Sequence, residues 1–247
     1  MRSPTRLLVV LLTLLVAGGC GHVYPSAVPP GELGYVPEEQ PGGTPISAAE
    51  FLDLVEDASA RGREEGRFWY TGWVASFVGK QQINSMYDGT VHIPEGYVAN
   101  VRIAGNPLRV FRWEGQLFIE ERTRWRRIPE ARDDPDYDPF ADFPGLFDGA
   151  SDVRLVGQEG VLGLPSHIYE GHLDLDGVED FRLWIAVDTG HLMQYQVNLS
   201  FLLGGVGQVR QEIFFRFYRH GDPGMEPLDL DKIEQYLEDQ ALREMDP

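Results

Sequence analysis

The sequence predicts an α+β protein built mostly of antiparallel strands, on three observations. From Phe68 onward apolar residues recur with period two, the spacing of strands with one buried face. The turns between these runs, such as Gly79-Lys80 and Glu114-Gly115, are too short for the crossover helices that parallel strands need. Ahead of the strands, ISAAEFLDLVEDASAR has helical spacing instead. Ala48, Phe51, Leu52, Val55 and Ala58 make one apolar stripe, and Ser47 with Glu50 has the capping-box spacing that satisfies free amides at a helix start.

The first residues form a separate unit. Arg2 and Arg6 precede an apolar run at 7–16, broken only by Thr13, and Ala17, Gly18 and Gly19 lead into Cys20. A basic start, a short apolar core and small residues make an export signal. The run is about half of the ~20 residues that span a bilayer. LVAGGCG resembles the bacterial lipobox, with Ala17 where that family prefers leucine. The resemblance implies cleavage after residue 19 and lipid on Cys20, the chain's single cysteine. Two acyl chains give stable anchoring where one is marginal.

Residues 20–45 carry the anchor and a tether whose last 25 residues hold six prolines and five glycines without periodicity. A domain follows at 46–225. After the helix come FWYTGWVASFV, QQINSMYDGTVHI, GYVANVRIA, PLRVFRWE, GQLFIEE and RTRWRRI as a meander. A loop and one short helix at 140–147 interrupt it. The strands resume with DVRLVGQEGVL, SHIYEGHLDL, FRLWIAVD, HLMQYQVNLSF and QVRQEIFFRFY. In the fourth of these, Met193, Tyr195, Val197, Leu199 and Phe201 alternate with amides and hydroxyls, so one face meets an apolar interior. FWYTGWVASFV is apolar on both faces and needs a cover on each. The chain closes with PLDLDKIEQYLEDQALREMDP at 226–247, an amphipathic helix with Ile233, Tyr236, Leu237 and Ala241 on its stripe.

Charge excludes some partners. The formal charge is −18, and removing Arg2 and Arg6 with the signal takes it to −20. Such a surface is repelled by nucleic-acid phosphates and offers no basic patch to anionic lipid heads. Membrane attachment then comes from the lipid alone.

Motifs for chemistry are missing. GWVASFVGKQ and GGVGQVR lack the spacing of nucleotide-binding loops. His167 and His172 point to opposite strand faces, and the other histidines are scattered, so no zinc site is predicted. Asp134, Asp136 and Asp138, and the turn at Asp174 and Asp176, read as solvated acidic loops, because the EF-hand glycine and glutamate are absent. There is no G-x-S-x-G elbow. The expectation is a protein without cofactor, metal or enzyme activity.

Three stretches carry a family resemblance: LRVFRWEGQLFIEERTRWRRIPE, DPFADFPGLFDGASDVRLVGQEGVLGLPSHIYEGHLDL and FRLWIAVDTGHLMQYQ. They resemble bacterial envelope lipoproteins of the LolA-like superfamily, LppX/LprG type, over roughly residues 47–220. The resemblance implies a curled meander sheet, a half-barrel, covering one or two helices, and an extracytoplasmic lipoprotein that binds or carries a lipid-like ligand. Relatives acting as envelope sensors imply the alternative of a filled core and a protein partner. In the carrier reading Phe51, Leu52, Val55, Trp69, Trp73, Met193, Tyr195, Val197 and Phe201 line the cavity, with ordinary core packing as the competing role for each.

Overall fold

The structure is a computed structural model. It describes residues 42–113, 116–121, 124–128, 140, 143–173, 178–203 and 207–225, with residues 231 and 235 beyond them. The export segment, Cys20, the tether to residue 41, both acidic loops and nearly all of 226–247 lie outside the described residues.

The helix α1 (Ala48–Glu65) starts as its cap dictates: the Glu50 amide donates to the Ser47 hydroxyl at 3.2 Å. It ends at Gly66, whose φ of 68° is the left-handed cap glycine adopts without steric cost. Phe51, Val55, Ala58, Ser59 and Gly62 are its buried residues. Ala48, expected on the stripe, is exposed, and Leu52 is half-buried. The helix runs four residues past the predicted segment because Gly62 belongs to its buried face.

All eleven predicted runs are strands, and a two-residue strand precedes them. In chain order they are β1 (Thr44–Pro45), β2 (Arg67–Val78), β3 (Gln81–His92), β4 (Gly96–Ile103), β5 (Asn106–Trp113), β6 (Gln116–Glu121) and β7 (Arg124–Arg127). After a 3₁₀ turn at Pro144–Phe147 come β8 (Ala150–Val161), β9 (Leu164–Leu173), β10 (Val178–Ala186), β11 (Leu192–Leu203) and β12 (Gly207–Tyr218). The turn is shorter than the helix expected at 140–147.

One sheet holds them in the order β1-β8-β9-β10-β11-β12-β2-β3-β4-β5-β6-β7. Every pairing among the described residues is antiparallel, so the sheet consists of two meanders joined where β12 pairs with β2, from Val209↔Val78 to Tyr218↔Trp69. The sheet is curled into a half-barrel and does not close: β1 and β7 are its edges. The helix packs in the concavity against β8, β11 and β2.

Tight curvature needs glycines on the inner face. A Cβ on Gly72 would lie 2.5 Å from the Phe215 ring, and one on Gly89 would run into the Val98 carbonyl across the β3–β4 ladder. Gly89→Ala should therefore lower stability by about 1–3 kcal/mol, the usual cost of overpacking. Urea denaturation measures this; an unchanged midpoint would mean the strands there are further apart than described.

Candidate functional site

The space between α1 and the sheet is packed with aromatic rings. Phe51, in the first turn of α1, stacks on Phe181 of β10 at 5.1 Å and meets Phe147 edge-on at 5.6 Å. Phe68 of β2 packs on Phe217 of β12 at 5.6 Å. Three rings come from the connector between β7 and β8. Phe147 meets Phe181 at 5.2 Å, Phe143 meets Tyr195 at 5.4 Å, and Phe140 meets Phe68 at 5.2 Å. The Phe140 ring lies over Gly62, where any Cβ would collide with it. Its carbonyl accepts from the Arg63 guanidinium at 2.8 Å. Phe51, Val55 and Phe147 are 0% exposed.

Toward β3–β6 the inner face becomes hydroxylated. Tyr70, Tyr87 and Tyr97 border the core of Ala99, Val101, Val110 and Leu117. The Gln211 amide donates to the Ser76 hydroxyl at 3.0 Å, both buried. Burial holds the Tyr87, Tyr97 and Tyr195 phenols above their ordinary range, so they stay neutral donors.

Five of the nine candidate lining residues belong to this interior. Phe51, Val55 and Val197 are in the core, with Leu52 and Tyr195 packed against it. Trp69 and Trp73 are on the other face: Phe68 points inward, so its neighbour points out, and Trp73 stacks on outward Phe214 at 5.9 Å. Met193 is also outward, with Trp184, Ile168, Val161 and Ala186. The reason is a bulge. Trp184 pairs with Gln194 but Ile185 with Leu192, so Met193 is an extra residue that breaks the alternation. The side chain of Phe201 lies outside the described residues.

Hollows at the surface of the described residues include the following two. One of about 390 Å³ crosses the outer face between Met86, Arg102, Leu108 and Glu120. The other, of about 350 Å³, lies between Ile46, Ala48, Ala150 and Arg154. It borders Ile46, Ala150 and Val153, which pack in the same core as Phe51 and Phe147. No group of three metal-ligating side chains occurs among the described residues, and no described helix is long and apolar enough to cross a membrane.

Sequence reading missed one cluster because it joins distant turns. His191 and His220 stack with centroids 4.5 Å apart and planes 7° from parallel. Glu65, at the end of α1, is 3.6 Å from His191. Arg61 of the same helix approaches His191, and Arg219 with Asp222 forms a pair beside His220 in sequence. Burial, then the neighbouring His191 charge, lowers His220 to about 4.

No family model matches the sequence, and no curated protein does. Solved structures do. The chain is similar to LprF from Mycobacterium bovis (11% identity, TM-score 0.49, 75% of this chain and 98% of that one). It is similar to the Mycobacterium tuberculosis lipoprotein LppX (10%, 0.47, 72% and 99%). It is also similar to the Pseudomonas aeruginosa MucA/MucB complex (15%, 0.38, 74% and 60%). The architecture is the one a LolA-like resemblance implies. At these identities and TM-scores no property of those proteins passes to this chain.

The histidine pair generates a pH prediction. His220 stays neutral in the fold down to about 4, while an unfolded histidine takes its proton near 6.5. Its stabilisation is complete above pH 6.5 and is lost as pH falls toward 4, on the order of 2–3 kcal/mol. Urea denaturation at pH 7 and pH 4.5 should show a smaller fall for His220→Phe than for the wild type.

Proposed function

We propose that the protein is an exported bacterial lipoprotein, anchored through lipid on Cys20, whose half-barrel binds or carries a lipid-like apolar ligand. The observation that supports this reading is the origin of the interior rings. Phe140, Phe143 and Phe147 come from a connector, not from the sheet or α1, and they occupy the zone where the concavity is most apolar. They stand where an acyl chain would lie, and Ile46, Ala150 and Val153, which line the second hollow, pack in the same core.

Magnitudes limit the ligand. Uncovering three phenylalanine side chains costs about 5–9 kcal/mol, and each methylene buried in their place returns ~0.8 kcal/mol. Roughly six to eleven buried methylenes are needed to break even. Only long chains displace the rings.

The same packing favours a second reading. An interior already filled to 0% exposure at Phe51 and Phe147 suits an envelope sensor or assembly lipoprotein of this shape, working by protein contact. In both readings the chain is a binding protein without enzyme activity.

Native mass spectrometry of the protein purified from a bacterial envelope separates the two. A long-chain lipid adduct, removed by organic extraction, is the expected result. A bare protein whose melting temperature is unmoved by added hexadecanoyl lipids, with octanoyl lipids as the inert control, leaves only protein contact. Cys20→Ser should release the protein into the soluble fraction and abolish palmitate labelling; retention on the membrane would refute the anchor.

A further inference from the structure

The outer face of β12 and β2 carries an aromatic row capped by arginines. Trp69, Trp73 and Phe77 project from β2, and Phe214 of β12 stacks on Trp73. Arg219 lies over Trp69 at 6.0 Å, Arg216 over Phe214 at 5.5 Å and Arg210 over Phe77 at 4.5 Å. A guanidinium stacked on a ring keeps its edge free to meet carboxylates. Glu212 stands 3.4 Å from Arg210 and shares its charge. Arg219 is likewise 3.8 Å from Asp222, and the Arg216 Nε donates to the Gln194 side-chain oxygen at 2.9 Å, so each guanidinium has one partner and keeps its remaining N–H groups for a further carboxylate.

The described fold ends beside this row. The Gly221 amide donates to the carbonyl of Arg67, the first residue of β2, at 2.9 Å, and Met225 is buried next to that turn. Residues 226–247 follow directly. They contain eight acidic residues against Lys232 and Arg243. Asp231 and Gln235 are helical and exposed. At 100° per residue they fall opposite Ile233, Tyr236 and Leu237. A helix of this length spans about 33 Å, and the row from Trp69 to Phe77 about 27 Å.

We infer that residues 226–247 dock as a helix along the outer aromatic row, with Ile233, Tyr236 and Leu237 on the rings and the acidic flanks on Arg210, Arg216 and Arg219. The strand whose two faces both need cover thus receives α1 on one side and the chain's own tail on the other. This docking stands independently of what the interior binds.

Acrylamide quenching of Trp73, taken as the difference between the full chain and its Trp73→Phe variant, tests it. Replacing Ile233, Tyr236 and Leu237 together with Asp should raise quenching at least twofold, with the circular dichroism of the sheet unchanged. Arg210→Glu with Arg216→Glu should do the same, and adding Glu234→Lys and Glu238→Lys should restore most of the protection. Quenching unmoved by the tail substitutions, or a charge swap that restores nothing, overturns the docking. Should the arginine variant fail to fold, the tail variant decides alone.

Discussion

The geometry of the molecule depends on covering a concave surface much larger than the helix given to it. Twelve strands at ~4.8 Å spacing run some 50 Å around the sheet, whereas α1, with 18 residues, offers a rod about 27 Å long and ~10 Å wide. Three devices close the difference. The sheet curls at glycines, the connector lends phenylalanines, and the tyrosines of β2–β4 and β11 fill the half that the helix does not reach.

In the carrier reading those rings couple stability to access. The fold borrows its filler from a connector, so the packing that completes the core also occupies the space a guest would use. A sheet residue in that role would be locked by its ladder. A connector residue is held by side-chain and single backbone contacts, such as Arg63 on the Phe140 carbonyl. The interior is consequently tightest where the backbone is least constrained.

Much of the fold was legible in the sequence because period two runs through most of each strand, and the Ser47 cap is a local signal. The side assignment was less so. Trp69 and Phe68 are both large and aromatic, and nothing local tells which of them faces the helix that precedes β2. Alternation placed Met193 with Tyr195, and a one-residue bulge defeats that inference without marking the sequence. Phe140, Phe143 and Phe147 sit among prolines and aspartates with no period, so they read as loop although they are core. His191 and His220 meet only because β10–β11 and the end of β12 converge on the last turn of α1, a tertiary fact with no local trace.

An open sheet also exposes two unpaired borders, each a template onto which another copy's backbone could zip. On one border the strand β1 is only two residues long, covers β8 at Arg154 and Leu155, and includes Pro45, which has no amide to donate. The other reads Arg-Trp-Arg-Arg, with Arg126 and Arg127 turned to solvent, and like charges resist stacking border against border. Were the molecule concentrated on a membrane by lipid on Cys20, as proposed above, Pro45 and the arginine border would oppose strand pairing between crowded copies.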